Sequence, residues 1–497
     1  MTAPTPHTSA EHLSTARREL PRVVVVGAGL AGLRCAQRVA GSVDLILLES
    51  QERVGGRCWS SLGWADGQVG EHGGEFIEEG QESLLALIAE LGLATESRQA
   101  GPRAGRLRIA GQLRDPAEVR GLPGVLRQLE GDLGRIGPVD WRSASSALRD
   151  LDAMTAEDWI EENVDGGCSS ELGICLATTA TLVLGLAPRQ LSAIALHHMW
   201  LGLPDPDSQG PGFRFGHDVG TEQGTAPEYG DVNAASVIDV LHIAGGNDQV
   251  ATSLAERLPT GALRLASPVT AVAREPDGRY RVSIAGQSEL RGIDRVVLAA
   301  PLPLLGRMDL SGAGLSRRRH SAIAEIPMAT HSKLALQLDR PLNRIEQWRG
   351  YALADHPNAA LWDSSRGQPG DAGLLTIFTP DRIFKGPDGG HGTADAETNA
   401  TAHTLIEQLV PGLGAHFTGV AWLDSWSDDP WAQGSYAGFA PGQFSQFAGF
   451  LSTPEEGIHF AGEHTSLASQ GFLDGAVASG ERAAREVLDS LGLESRT

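Results

Sequence analysis

The sequence has few cysteines, few basic residues and no long apolar run. Its four cysteines include no pair at CxxC spacing, which argues against a disulfide framework and favours a reducing compartment. The longest apolar stretches, 23–33 and 174–186, are shorter than the ~20 residues that a membrane-spanning helix requires. The first twenty residues are polar and lack the apolar segment of a signal peptide. These absences predict a cytoplasmic protein with no membrane partner.

The shortage of positive charge excludes a further class of partner. The chain has 40 Lys and Arg residues against 62 Asp and Glu residues, a formal net charge of −22. Such a surface repels phosphate backbones, so we expect no nucleic-acid partner. The composition is otherwise globular, with 41% hydrophobic residues, and 497 residues suffice for two to four domains. The composition does not determine the oligomeric state, and a homodimer is one option.

Glycine, by contrast, is abundant, and its first cluster forms a nucleotide-binding motif. A β-branched run over 22–26 predicts a buried strand, and GAGLAG follows it, with a helix predicted from Leu33 to about Ala40. Gly27 allows the tight turn, Gly29 lets the backbone approach a pyrophosphate, and Gly32 allows close strand–helix packing. A second strand, 43–48, ends at Glu49, which would accept hydrogen bonds from ribose hydroxyls and disfavour a 2′-phosphate. The alternative is a glycine turn without a ligand.

The residues after Glu49 extend this nucleotide site. They follow the pattern ExxxRxGGR, with two glycines before Arg57. The glycines permit a second backbone approach, and Arg57 would neutralise a phosphate. Arg53 fits a surface ion pair as well as a cofactor contact. The long footprint favours a flavin dinucleotide over a nicotinamide one.

Strand and glycine units recur at the N-terminus, in the middle and at the C-terminus. We therefore predict an α/β fold in which a Rossmann-like FAD-binding domain is assembled from three separated segments, with an inserted α+β substrate domain that includes a helical subdomain. The predicted parts are a polar leader (1–20), the FAD-binding domain (21–80, 240–312 and 420–497) and the substrate-binding domain (81–239 and 313–419, with a helical insert over about 120–200).

Periodicity predicts the main elements within these parts. The predicted helices are 83–93, 156–163 with Thr155 as N-cap, 175–186, 396–409 and one that starts near Leu473; the predicted strands are 263–266, 269–275 and 280–284 as antiparallel neighbours, then 294–299, 333–338 and 373–378. The segment 202–231 is rich in Gly, Pro and acids and is read as a functional loop or a surface excursion.

Several motifs together resemble the flavin-containing amine oxidase family, which includes monoamine oxidases, polyamine oxidases and L-amino acid oxidases. They are ExxxRxGGR after GxGxxG, EHGGEFI (71–77), AGGND (244–248), SPVTAV (267–272), WSDDPWAQGSY (426–436) and the stretch 460–485. The likeness covers nearly the whole chain except the helical insert and 202–231. It implies FAD on a Rossmann-like fold of the GR2 type, and no metal.

The resemblance also implies a set of cofactor-binding residues. Residues 73–75 would pass beside the flavin ring, Val269 would contact the adenine, and the helix near Leu473 would point its positive end at the flavin pyrimidine. The implied set is Gly27, Ala28, Gly29, Gly32, Glu49, Arg57, Gly73, Gly74, Glu75, Val269, Trp426, Gly462, Glu463, Gly471, Phe472 and Leu473. His464, in the same glycine turn, would tune the flavin or cap the turn.

The implied catalytic residues are Lys333, Tyr436 and Phe472. Lys333 matches the family lysine that holds a water against flavin N5, and Tyr436 and Phe472 match the two walls of an aromatic cage around the amine. The alternatives are a strand-end lysine in solvent and aromatic residues of an ordinary core. Monoamine oxidases attach their flavin to a cysteine where this chain has Ser435, so we expect non-covalent FAD.

The implied reaction is hydride transfer from an amine to flavin N5, which gives an imine and, with dioxygen, hydrogen peroxide. Glu78 stands where plant polyamine oxidases carry an acid, and it would bind the distal ammonium of a diamine, unless it is a solvated loop residue. We therefore expect a small primary amine or a di- or polyamine as substrate, steered by the negative surface.

Three alternatives remain open at this point. An L-amino acid oxidase needs an arginine for the carboxylate, for which the unaligned Arg103, Arg106 and Arg214 are candidates. A flavin desaturase or porphyrinogen-type oxidase has no need of Lys333 or Tyr436. A non-catalytic flavoprotein would keep the nucleotide motifs alone.

Overall fold

A computed structural model describes residues 20–98, 105–115, 118–201, 240–346, 348, 350–380 and 382–494. The predicted loop 202–231, together with Arg103 and Arg214, lies outside these residues. The strands are β1 (Arg22–Val26), β2 (Asp44–Leu48), β3 (Ser60–Ser61), β4 (Gly70–Glu71), β5 (Thr95–Ser97), β6 (Arg106–Ile109), β7 (Gln112–Arg114), β8 (Leu241–Ile243), β9 (Leu263–Arg264), β10 (Val269–Arg274), β11 (Tyr280–Ile284), β12 (Leu290–Ile293), β13 (Arg295–Leu298), β14 (Ser332–Leu338), β15 (Tyr351–Asp355), β16 (Asn358–Asp363), β17 (Gly373–Thr379), β18 (His391–Thr393), β19 (Phe417–Ser425) and β20 (Ile458–Phe460).

The helices follow the same order along the chain. They are α1 (Leu30–Val39), α2 (Glu82–Leu91), α3 (Leu122–Ile136), α4 (Ser146–Ala153), α5 (Ala156–Asn163), α6 (Glu171–Leu184), α7 (Ile194–Leu201), α8 (Gln249–Glu256), α9 (Leu302–Arg307), α10 (Arg317–Glu325), α11 (Ala396–Leu409), α12 (Gln443–Phe447) and α13 (Leu473–Ser490). Within the described ranges, none of them combines the length and the apolar character needed to cross a membrane.

The first sheet is parallel and has five strands in the order β20-β13-β1-β2-β9. The valines of β1 are buried on both faces, as expected for a central strand of a parallel sheet. Helices α1, α8 and α13 share one hydrophobic core with its strands. The class is therefore α/β with a nucleotide-binding type of sheet, as predicted.

Two local predictions at this sheet are wrong. Helix α1 begins at Leu30 rather than Leu33, because Gly29 already takes the extended N-cap conformation and Gly32 lies in the first turn. The 263–266 segment does not join the antiparallel strands that follow it. Instead β9 pairs parallel with β2 at the sheet edge, while β10, β11 and β12 form a separate antiparallel sheet.

The second sheet has eight strands in the order β18-β19-β14-β17-β16-β15-β6-β7 and is mostly antiparallel. Its central strand β14 is buried along its whole length. Helix α11 covers one face, since Leu405 and Leu409 share a core with Leu334 and Leu336. The predicted helical insert consists of α3 to α7, and the capping box of α5 joins Thr155 to Asp158 as the sequence indicates.

Two elements cross the predicted domain limits. Helix α2 falls in the predicted substrate domain, but its apolar side packs in the core of the first sheet and Leu84 N donates to Asp474 Oδ1 of α13 (2.9 Å). Strand β19 spans the limit at 419/420, because its residues pair with β14 and β18 over most of its length. A limit drawn in the connection after β19 keeps the second sheet whole.

Candidate active site

A cavity of about 930 Å³ runs from the first sheet to the second sheet and the helical insert. It is lined at one end by the β1–α1 turn and the end of β2, and at the other by α6, α7 and β16. It collects most of the predicted site residues, namely Gly27, Gly29, Glu49, Arg57, Gly73, Gly74, Glu75, Glu78, Lys333, Trp426, Tyr436, Gly462, Glu463, Gly471, Phe472 and Leu473.

The nucleotide end of the cavity is built from backbone. Helices α1 and α13 both start at the cavity, and no side chain caps either N-terminus. A Cβ at Gly29 would meet no protein atom closer than 4.0 Å, so it would fill cavity space. Free N–H groups and positive helix ends are what a pyrophosphate and a reduced flavin need. These features fit a flavin dinucleotide.

Three predicted cofactor residues do not line the cavity. Ala28 N donates to Glu49 Oε2 (2.7 Å), which orients the carboxylate predicted to bind the ribose. Gly32 has a packing role, since a Cβ there would lie 1.9 Å from Gly27 O. Val269 opens β10, two residues after Ser267, whose N donates to Glu49 O (2.7 Å). The contact of Val269 with adenine stays a prediction.

Arg57 is held by the C-terminal segment of the chain. It donates to Ser435 O (2.6 Å) and Glu463 Oε1 (3.1 Å), and Glu463 Oε2 accepts from Gly471 N (2.9 Å). Glu463 thus connects Arg57 to Gly471, and all three residues line the cavity. Arg53 lies over the Trp59 ring at 4.3 Å and donates to Gly56 O. It forms no ion pair among the described residues, and its contact with the cofactor stays a prediction.

Lys333 is buried at the cavity and paired. Its Nζ lies 2.7 Å from Glu75 Oε2 and donates to Gly73 O (3.0 Å), so the alternative of a solvated strand-end lysine is wrong. Arg98 approaches the other Glu75 oxygen at 3.7 Å. Burial alone would raise the pKa of Glu75, but the charges of Lys333 and Arg98 lower it to about 2. The Glu75 carboxylate therefore stays ionised beside the Lys333 amine.

Tyr436 is fixed by a partner that the sequence does not reveal. Its hydroxyl donates to Val183 O at the end of α6, and His331 lies beside it with ring centroids 4.9 Å apart. His331 donates to Leu182 O (2.9 Å) and accepts from Ser435 Oγ (2.7 Å). Burial lowers the pKa of His331 to about 3, so the ring is neutral. His331 thus joins Tyr436, a wall of the predicted aromatic cage, to the helical insert.

The second aromatic wall, Phe472, is the N-cap residue of α13 and faces the same cavity. Gly471 packs against the Tyr436 ring and has a φ of +84°, a backbone conformation that favours glycine. Trp426 is buried, lines the cavity and donates to His72 O (3.0 Å). Trp426, Tyr436 and Phe472 thus line one cavity, and their contacts with a flavin and an amine stay predictions.

Behind Trp426 lies a buried cluster of two histidines and two aspartates. His391 donates to Asp424 Oδ1 (2.7 Å) and Asp429 Oδ2 (2.8 Å), and His72 also donates to Asp424 (2.9 Å). Burial alone would lower the pKa of His391, but the two aspartates raise it to about 9. The charged ring stands edge-on to Trp426, with centroids 4.7 Å apart. Of these residues the motif around 71–77 contains only His72.

The substrate side of the cavity continues from Lys333 along an aromatic wall. Trp362 contacts Phe76 and Phe378, with centroids 5.2 and 5.7 Å apart, and Lys333 Nζ lies 5.8 Å from the Trp362 ring centre. Glu78 is buried at the cavity rather than solvated. His464 is buried behind Gly462 and does not line the cavity, and burial lowers its pKa to about 3.

Comparison with known proteins agrees with this geometry. The chain matches the family model described as flavin containing amine oxidoreductase over residues 30–488. It is 26% identical to an L-amino acid dehydrogenase from Synechocystis and 26% identical to a putrescine oxidase from Kocuria rosea, each over 94% of this chain and 95% of the relative.

Solved structures support the fold. A putrescine oxidase with bound putrescine matches 95% of this chain and 100% of its own, with a TM-score of 0.75 and 23% identity. Cyclohexylamine oxidase from Brevibacterium oxydans matches 96% of this chain and 100% of its own, with a TM-score of 0.76 and 21% identity.

Proposed function

The chain belongs to the flavin-containing amine oxidoreductase family, and we propose that it is an amine oxidase that uses dioxygen and releases hydrogen peroxide. The observation that carries the proposal is the buried Lys333–Glu75 pair at a cavity that also contains Tyr436 and Phe472. A buried lysine is costly unless it has a function or a partner, and this one is paired with the Glu75 carboxylate at the cavity.

The cofactor is FAD. When bound, it takes two electrons and one hydrogen from the Cα–N unit of the amine, and it passes the electrons to dioxygen. Its dinucleotide would lie along the glycine turn and Glu49, with its ring toward Trp426 and Leu473. The residue at position 435 is a serine, which forms no thioether with a flavin, so the FAD is held non-covalently. Denaturation should release all the flavin, and a flavin adduct in the mass spectrum of the unfolded chain would contradict this.

The side chains of the substrate end then have defined tasks. Tyr436 and Phe472 would hold the neutral amine between their rings, with its Cα toward the cofactor. Lys333 would donate a hydrogen bond to the water that hydrolyses the imine to a carbonyl compound and ammonia or an amine. The amine loses a hydride from Cα and a proton from nitrogen, and dioxygen takes up two electrons and two protons.

We further propose that the FAD-binding and substrate parts are separate domains. The five strands of the first sheet come from 22–26, 44–48, 263–264, 295–298 and 458–460, which supports assembly from separated segments.

Two substrate classes fit this cavity. The buried carboxylate of Glu78 favours a diamine or polyamine, whose distal ammonium it would bind. Oxidation of L-amino acids is favoured if an arginine is free to bind a carboxylate. Arg106 does not line the cavity, so of the three arginines predicted for that role it is excluded, and the other two lie outside the described residues.

The direct test is reduction of the bound flavin. We expect anaerobic addition of a suitable amine to bleach the FAD absorbance, and air to restore it with one equivalent of peroxide. A panel should include monoamines, diamines and L-amino acids. If no member bleaches the flavin, the protein is not an amine oxidase, and a C–C desaturase or a non-catalytic flavoprotein becomes the better interpretation.

A further inference from the structure

Three arginines that line the cavity, Arg108, Arg120 and Arg366, form no ion pair with a described carboxylate, and of these only Arg366 lies on the turn that directly follows the strand carrying Trp362. Arg57 and Arg98, which also line the cavity, are bonded to Glu463 and to Glu75 and Glu96 respectively. Arg366 lines the same cavity and is half-buried, but it forms no ion pair or hydrogen bond with any described residue. A guanidinium in such a position binds an anion more readily than one already neutralised.

The turn that carries Arg366 is firmly held. Ser364 O accepts from Arg98 Nη1 (2.5 Å) and from Gln368 Nε2 (2.8 Å), and Gln368 also exchanges two hydrogen bonds with the backbone of Val69. Gly367 adopts a φ of +78°, and a Cβ there would lie 2.8 Å from Ser97 O. The backbone on both sides of Arg366 is thus fixed against two other segments.

The nearest acidic residue in sequence does not neutralise Arg366. Asp363 Oδ1 accepts from Ser365 N (3.0 Å) and Ser365 Oγ (2.7 Å), and no ion pair within 4 Å joins it to Arg366 in the described chain. Burial raises the pKa of Asp363, with opposing effects from its Ser365 hydrogen bonds and from the charges of Arg366 and Arg98. Asp363 therefore leaves the bonding positions of the guanidinium open.

The turn is also close to the reacting end of the cavity. It directly follows β16, whose Trp362 lies 5.8 Å from Lys333 Nζ and contacts Phe76. Arg98 connects this turn to the Lys333–Glu75 pair, since it contacts both Ser364 O and Glu75. A molecule whose amine lies at Lys333 and the aromatic cage would extend along the Trp362 wall toward Arg366.

We propose that Arg366 is a carboxylate-binding residue and that the substrate is an amine that carries a carboxylate. The inference rests on the proposed amine oxidation and narrows its substrate class. The guanidinium would form charge-assisted hydrogen bonds with the substrate carboxylate while the amine lies in the cage. An α-carboxylate and a carboxylate at the far end of the chain share this chemistry, and the test separates them.

The test compares matched substrates in the FAD-loaded enzyme. L-Phenylalanine is compared with 2-phenylethylamine, and 6-aminohexanoate with hexylamine, so that each pair differs in the carboxylate. In Arg366→Met we expect kcat/KM for the carboxylated member of the favoured pair to fall about 10- to 100-fold relative to its amine, the loss expected for hydrogen bonds to a charged group. Arg366→Lys, which keeps the positive charge, should recover part of the lost kcat/KM for the carboxylated substrate. The pair that responds identifies the position of the carboxylate.

A second measurement does not depend on turnover. Benzoate, which cannot be oxidised here, should perturb the flavin absorbance of the wild-type enzyme, with a Kd that rises at least about tenfold in Arg366→Met. Arg120→Met is the matched control, because Arg120 also lines the cavity and forms no ion pair among the described residues, but it lies beyond the turn, ahead of α3. Melting curves check that each variant folds.

The outcomes separate the two proposals. The site at Arg366 is wrong if the wild type prefers the plain amines and does not bind benzoate, or if Arg120→Met and not Arg366→Met loses the carboxylates. If nothing in the panel bleaches the flavin, the proposed amine oxidation fails, while benzoate binding still decides whether Arg366 binds a carboxylate.

Discussion

The two ends of the cavity are built in different ways. The nucleotide end uses backbone: a glycine turn, two uncapped helix starts and one carboxylate, all carried by the first sheet. The substrate end uses side chains from β14, β16, α6 and the C-terminal segment, each fixed by a buried partner. A binding site made of backbone should lose its ligand when a side chain is added to it. A site made of side chains should lose stability or activity when one partner of a pair is removed.

The largest effect should come from adding atoms at the nucleotide end. Gly29 has φ −70° and ψ 177°, which any residue adopts, and a Cβ there points into cavity space. Gly29→Val should therefore fold but raise the Kd for FAD at least about 100-fold, because the methyl groups occupy the pyrophosphate position. Equilibrium dialysis with FAD and a melting curve of the apo-protein measure the two properties separately.

Two glycines provide the controls. Gly32→Val should prevent folding instead, because its Cβ would lie 1.9 Å from Gly27 O, and Gly124→Ala should change neither property, because nothing lies within 4 Å of its Cβ. If Gly29→Val retains FAD, the backbone description of this end is wrong.

Removal of one partner at the substrate end should come next. Lys333→Met leaves Glu75 buried with only Arg98 at 3.7 Å, which should lower the free energy of unfolding by about 3 kcal/mol. It should also slow turnover or reoxidation by orders of magnitude while FAD stays bound. Steady-state and stopped-flow kinetics of the FAD-loaded variant test the second effect.

The double variant Lys333→Met/Glu75→Gln separates stability from catalysis. We expect it to regain most of the lost stability, since no unpaired carboxylate remains, but none of the lost rate. Near wild-type kinetics in Lys333→Met would remove this lysine from the mechanism.

The same contrast explains how much could be predicted from the sequence. Backbone recognition needs glycine and one acid at fixed spacing, so the position of Gly27, Gly29 and Glu49 at the cavity could be predicted from the chain alone, while their contacts with the cofactor stay predictions. The parallel first sheet followed for the same reason, because continuous apolar runs next to glycine turns indicate it.

The partners of the substrate end could not be predicted in this way. Arg98 and Arg366 line the cavity from separate segments of the chain, and His331 holds Ser435 and Tyr436 from behind it; no local pattern marks any of the three. The prediction for the edge strand β9 was wrong for a related reason. This strand has only two residues, so its pairing depends on the neighbouring strand β2 and not on an alternating pattern of apolar and polar residues. Periodicity also could not show that α2 packs on the first sheet.

A smaller effect should appear at the histidine cluster behind Trp426. The pKa of His391 is raised to about 9 in the folded chain, above its usual value of 6.5, so the cluster stabilises the fold fully below pH 6.5 and loses this contribution as the pH rises through about 9. His391→Gln should cost on the order of 2 kcal/mol at pH 6, and the difference from wild type should narrow above pH 9. Chemical denaturation at several pH values measures it.

The other titratable groups at this cluster are His72, Asp424 and Asp429, with Arg53 across the Trp59 ring. Asp424→Asn removes the shared acceptor and should weaken the pH dependence without removing His391. A constant difference between His391→Gln and wild type from pH 6 to pH 10 would show that the ring is not charged in the folded protein.

The smallest effect should come from a single hydroxyl at the cage. Tyr436→Phe keeps the ring but removes the donor to Val183 O, which should cost about 1 kcal/mol of stability and leave KM nearly unchanged. Tyr436→Leu also removes the ring, so KM for the amine should rise while FAD affinity is kept. Because burial raises the pKa of Tyr436, its hydroxyl stays protonated and can serve only to position the ring against α6. A large loss of kcat in Tyr436→Phe would instead give that hydroxyl a part in the reaction, and the substrate end would depend on chemistry as well as on shape.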